Sequence, residues 1–163
     1  MQAASKWRVN TANNRQRVGD WERDIFFTAN RKAILACVER KTRLLKLKVV
    51  DSLKAGKISK LTTELIETSG LPMYSITNDN GSEFADGKNM KVSVYYCKPF
   101  KPQQRGTIEN TIGLVRSYIS RRTDISQCSL ESIQGIENLI NNRPRKILKF
   151  KTSIEAASRH LLR

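Results

Sequence analysis

From Trp21 the chain alternates with a period of two. Trp21, Arg23, Ile25 and Phe27 fall on one face of a predicted strand, and Glu22, Asp24 and Phe26 on the other. Residues 33–38, AILACV, are apolar throughout, as a strand covered on both faces would be. Then Leu45, Leu47 and Val49 alternate with Lys46 and Lys48, the pattern of a half-buried strand. Thr42 and Arg43 mark a tight connection, and the closeness of the three runs predicts an antiparallel meander.

The period then changes. Ile58, Leu61, Leu65 and Ile66 make one helical stripe, which Gly70 and Pro72 end. Strands are predicted at about 74–78 and at 92–97, with an irregular piece between them. The segment KPFKPQQRG (98–106) breaks regular structure with two prolines and a glycine. Beyond it, Ile108, Ile112, Val115 and Ile119 predict a long helix. Ser129 is placed to cap another that carries Ile133, Ile136 and Ile140 and stops at NNRPRK. The order divides the chain into a basic arm at 1–17, a core at 18–158 and a tail at 159–163. It predicts an α/β domain: a mixed five-stranded sheet flanked by helices. The first three strands would pair antiparallel, and the last two would join in parallel through helical crossovers.

Composition narrows the function. The 163 residues are 39% hydrophobic, enough for one domain with a real core. Thirty Lys and Arg against fifteen acids leave a formal net charge of +15, which points to a polyanion, nucleic acid before a membrane surface. No run of about 18 apolar residues offers a membrane span, and the opening MQAASKWRVN lacks the apolar stretch of a signal peptide. Cytoplasmic location, associated with the nucleoid, is the matching expectation. Cys37, Cys97 and Cys128 stand singly, without the spacing of a zinc site or a disulfide frame. His160 is the only histidine and lies near the C-terminus, so Ser-His and Cys-His catalysis have little to work with. Chemistry here falls to carboxylates.

Three acids occupy suggestive positions. Asp24 lies inside the first strand, where a carboxylate needs a partner. Asp79 ends the fourth strand within ITNDNGSEF, a usual place for ligands in α/β sheets, although Asn-Asp-Asn-Gly is by itself most often a turn. Glu109 lies in the first turn of the long helix, where an acid also suits the helix dipole. If the first and fourth strands pair, the three can converge. Hard oxygen donors without histidine or thiol suit Mg²⁺ or Mn²⁺. Two such ions about 4 Å apart can serve in-line phosphoryl transfer.

The stretches GDWERD (19–24), TNDNGSEFA (77–85), CKPFKPQQRGTIENTIGLVRSYISRRTD (97–124) and INNRPRKILKFKT (140–152) resemble bacterial insertion-sequence transposases of the IS-thirty family, in order and over nearly the whole chain. More broadly they resemble the integrase core shared with retroviral integrases. The resemblance implies an RNase H-like fold and an Asp-Asp-Glu triad of Asp24, Asp79 and Glu109 binding two divalent ions. It implies cleavage of DNA at transposon ends and strand transfer to a target, carried out by a homo-oligomer on DNA. Asn80, Gly81 and Asn110 would support the site. Arg105, Arg116, Arg121, Arg122, Arg143, Arg145, Lys146 and Lys149 would hold DNA. Family members also carry an N-terminal helix-turn-helix region, for which the residues before Gly19 are too few.

The chain departs from the family pattern at Arg23, Gln103, Ile108 and Ile112, and in a shorter loop around Gly87. These departures motivate the alternative expectation, a catalytically decayed, DNA-binding remnant of a transposase. An RNase H-type ribonuclease ranks last, because such enzymes generally use a further acid and sometimes a histidine near the site.

Overall fold

A computed structural model describes residues 13–161. Most of the expected arm, residues 1–12, and the last two residues of the tail lie outside the described residues. Five strands, β1 (Asp20–Phe27), β2 (Ala33–Glu39), β3 (Leu45–Val50), β4 (Ser75–Asn78) and β5 (Ser93–Tyr96), form one sheet in the order β3-β2-β1-β4-β5. The pairs β1–β2 and β2–β3 are antiparallel, and β1–β4 and β4–β5 are parallel, as the element order predicts. The helices are α1 (Ala55–Glu67), α2 (Gly106–Val115), α3 (Leu130–Asn141) and α4 (Ser153–Ser158).

The continuous apolar run of β2 has a simple cause: both of its faces are covered. Leu35 and Cys37 join Trp21 and Ile25 of β1 and Ile58, Leu65 and Ile66 of α1 in one core. Ile34, Ala36 and Val38 join Phe26, Leu45 and Leu47 in a second core, with Ile108 and Val115 of α2 and Ile133 and Ile140 of α3. Period-two alternation divides the strand residues between these layers. Trp21 is fully buried, and its indole N–H donates to the Pro72 carbonyl at 3.0 Å, so burial of the large ring leaves no orphan donor.

α3 also covers the outer margin of the sheet. Glu137 Oε2 accepts from the Leu47 amide at 2.7 Å, while Asn141 accepts from the Leu45 amide and donates to its carbonyl, each at 2.8 Å. Lys46 Nζ meets the other oxygen of Glu137 at 2.6 Å. Side chains thus stand in for a neighbouring strand along β3.

Three details depart from the sequence reading. The β4–β5 connection is no regular helical crossover but the 3₁₀ segment Ser82–Asn89. The helix predicted through Ile119 ends at Val115, where Ser117 and Tyr118 bond back three residues to Leu114 and Val115. That tighter turn keeps Ile119 buried, which is why its period looked helical. Finally, α4 lies beyond NNRPRK, at the end of the expected core, where no element was predicted; a capping box between Thr152 and Glu155 starts it. Among the described residues no helix is long and apolar enough to cross a membrane.

Candidate active site

The parallel register places Glu22 of β1 beside Thr77 of β4. Two residues further along both strands stand Asp24 and Asp79. Neighbouring strands run about 4.8 Å apart, so these carboxylates open onto a common space. Arg105, in the 3₁₀ turn Pro102–Arg105 just before α2, fills that space. Its Nη2 donates to Asp24 Oδ2, and its Nη1 lies 3.1 Å from Asp79 Oδ2. The guanidinium is 9% exposed, against 22% for the Asp24 side chain and 41% for that of Asp79. One cation is therefore held between two acids at the rim of the domain.

Electrostatics follow from this packing. Burial pushes the Asp24 carboxyl above the ordinary carboxylate range, and the Asp79 charge adds to that; Arg105 and the Ile25 amide pull the other way. Burial also works against the Arg105 charge, yet the two aspartates together hold its guanidinium above the ordinary value.

The loop after β4 is both a turn and a site wall. Asp79 Oδ1 accepts from the Gly81 amide at 2.9 Å, the local bond that makes Asp favourable in turns. A Cβ on Gly81 would stand 2.7 Å from the carboxyl end of the Glu83 side chain, a flexible end that folds over the glycine and can swing aside. Asn80 Nδ2 donates to the Cys97 carbonyl at 3.0 Å and ties this loop to the end of β5. On the opposite face of β1, fully buried Arg23 donates to Asn78 Oδ1 at 2.7 Å and to Thr62 Oγ1 at 2.8 Å, and stacks over Phe84. It braces the residue that precedes Asp79.

Glu109 is exposed in the first turn of α2 and has no hydrogen-bond or ion-pair partner among the described residues. Among those residues no three acids, histidines or cysteines are grouped to hold a metal ion. The structure thus links Asp24 and Asp79 through Arg105, which lies between them, and Glu109 has no such link to either. The acid of β1 that does reach α2 is Glu22: its Oε2 accepts from the Ile108 amide at 2.8 Å, and its Oε1 from Arg40 at 2.6 Å.

The cationic residues divide by environment. Arg121, Arg122, Arg143, Lys146 and Lys149 are exposed. Arg116 is half-buried over the Phe26 ring, and Arg145 is half-buried. Arg105, expected on DNA, is spent on the two aspartates. Asn110 is exposed one residue beyond Glu109. What sequence reasoning missed is the Asp24–Arg105–Asp79 arrangement. Its one signal was an arginine immediately ahead of the helix that carries Glu109.

No protein-family model matches the chain. Its sequence is 36% identical over 159 residues to the transposase InsI for insertion sequence element IS30C of Escherichia coli K12, covering 93% of this chain and 41% of that protein. It is 35% identical to the transposase for IS4351 of Bacteroides fragilis (86% of this chain, 45% of that one) and to the transposase for IS1086 of Cupriavidus metallidurans (91% and 46%). The chain is homologous to the IS30-family transposases. The chain spans less than half the length of those relatives. Among solved structures it resembles the catalytic core domain of BIV integrase, with a TM-score of 0.64 at 18% identity, covering 86% of this chain and 93% of that one. It also resembles a chain of the simian T-cell lymphotropic virus intasome, with a TM-score of 0.68 at 18% identity, covering 85% and 54%. The fold of the chain is therefore RNase H-like, built on a mixed five-stranded sheet.

Proposed function

We propose that this chain is the catalytic core of a transposase that cuts DNA at transposon ends and joins them to a target by phosphoryl transfer. The observation that carries the reading is the acid pair, Asp24 within β1 and Asp79 just past the end of β4, already sharing one positive charge. That pair fits a divalent ion. Mg²⁺ and Mn²⁺ take hard oxygens, and Mg²⁺ commonly sits on one or two carboxylates, with water and substrate phosphate completing its shell. Asp24 and Asp79 would hold it, and Glu109, free at the start of α2, would supply the third acid and help hold a second ion. A bound ion supplies activation of the attacking oxygen and stabilisation of the leaving one.

The protein's own part is charge exchange. An incoming phosphodiester offers Arg105 a new anionic partner, so its guanidinium turns from the aspartates to the substrate and opens the space it fills. Asn80 and Gly81 hold the Asp79 loop in place. Attack of water forms one P–O bond and breaks another, releasing a 3′-hydroxyl. That hydroxyl then attacks a target phosphate in the same manner. Exposed Arg121, Arg122, Arg143, Lys146 and Lys149, within a chain of net charge +15, would hold the backbone. Homo-oligomers on paired ends belong to this reading.

Asp79→Asn is expected to abolish Mg²⁺- or Mn²⁺-dependent nicking of supercoiled DNA while leaving circular dichroism unchanged. Retained nicking overturns the assignment. A second reading, a DNA-binding remnant without catalysis, is favoured by Arg105 between the acids and by the lack, among the described residues, of a group of three acids set to hold a metal. Titration calorimetry with Mn²⁺ separates the two: heat that disappears in Asp24→Asn supports the enzyme, and no heat in the unmodified protein supports the remnant.

A further inference from the structure

At Thr107, in the first turn of α2, Arg15 and Arg43 meet on one hydroxyl, and Arg145 is near enough to Arg43 for its charge to be felt; none of the three makes an ion pair among the described residues. Arg43 Nη1 donates to Thr107 Oγ1 at 2.7 Å, and Arg15 Nη2 donates to the same oxygen at 3.1 Å. Arg43 is only 9% exposed, and its Nε has no partner. The Nε of Arg15 and both Nε and Nη2 of Arg145 are likewise buried and unpartnered. The proximity of the three is felt as charge. Burial, then Arg15, and less strongly Arg145, pull Arg43 below the ordinary arginine value, against Glu22 and Glu39. Those two carboxylates are engaged elsewhere: Glu22 with Arg40 and the Ile108 amide, Glu39 with the amides of Gly19, Lys41 and Thr42 and the Thr42 hydroxyl.

Buried like charges with unmet donors are costly, and an oxyanion relieves both faults together. The first turn of a helix adds its positive end to the same place. Guanidinium forks match the oxygens of a phosphate group. We propose that Arg15, Arg43 and Arg145, with Thr107 at the first turn of α2, form a phosphate-binding site separate from the acid pair. Thr107 lies two residues from both Arg105 and Glu109. A DNA backbone phosphate seated there would fix the strand relative to the acids. That choice of ligand rests on the proposed function, whereas the anion site itself does not.

Two measurements decide. Melting of the unmodified protein in inorganic phosphate is compared with melting in chloride at equal ionic strength, and repeated for Arg145→Gln. Phosphate is expected to raise the melting temperature of the first and to do so much less for the second. Fluorescence anisotropy then follows a short duplex of arbitrary sequence over a range of salt. Arg145→Gln and Arg15→Gln are each expected to weaken binding evenly across sequences and to reduce the salt slope by about one. Stabilisation by phosphate with unchanged slopes assigns the site to a small free anion. No advantage of phosphate over chloride, together with unchanged slopes, overturns the site. Absence of DNA binding in the unmodified protein sinks the proposed function, and the phosphate measurement still judges the site.

Discussion

Glu22 and Asp24 stand two residues apart on one face of one strand, each facing an arginine, yet they live in different worlds. Glu22 is fully buried, paired to a buried Arg40 at 2.6 Å and bonded to the Ile108 amide. One of its oxygens fixes α2 on the sheet and the other answers the Arg40 charge. Asp24 is part-exposed and shares its arginine with Asp79 at the rim. An acid whose partners are backbone and buried side chains is structural. An acid whose cation is also claimed by a second acid, next to solvent, has a partner that can be exchanged.

The comparison can be broken by mutation. The largest expected effect is Glu22→Ala, which strands the Arg40 charge in the interior and costs about 3–5 kcal/mol of unfolding free energy in urea. A loss under 1 kcal/mol would erase the distinction. Asp24→Asn is expected to change stability at neutral pH by no more than about 1 kcal/mol, because Arg105 keeps Asp79. It should also remove a slope. Burial holds the Asp24 carboxyl above its ordinary value, so the folded state binds its proton more tightly than the unfolded state does. Stability from this group therefore falls as pH rises above about 4 through the raised value. Urea midpoints across that interval should decline more steeply in the unmodified protein than in the variant. At the far end stands Lys60–Glu64, 3.8 Å apart on α1 with side chains 80% and 57% exposed. Lys60→Ala should cost at most about 0.5 kcal/mol, and that little should vanish in high salt.

Much of this architecture was readable because side-chain alternation survives intact. Trp21, Ile25, Leu35 and Cys37 mark one layer, Phe26, Ile34 and Ala36 the other, and β1–β4 pairing follows from the order. What escaped was whatever depends on a partner rather than a period. Arg105 looks like any surface cation in the sequence, and only the fold shows it between two aspartates. Glu109 sits at the edge of its helical stripe, so periodicity left open which way it faces; in the structure it is exposed. Ile119 kept its spacing through a change of turn type. α4 is six residues long, too brief for a period to declare itself, although Thr152 and Glu155 carried the capping signal.

The side chains of Glu137 and Asn141 on β3 have a further consequence. If copies gather on one duplex, as the proposed function has it, their domains come to high local density, a setting that invites strand exchange and aggregation. With the Leu45 and Leu47 amides already engaged, a second molecule finds no ladder along that margin to zip onto, and the opposite margin is a strand of only four residues. Under the proposed function, any such assembly would then use loops and helices, where contacts can form and dissolve without rewriting the sheet.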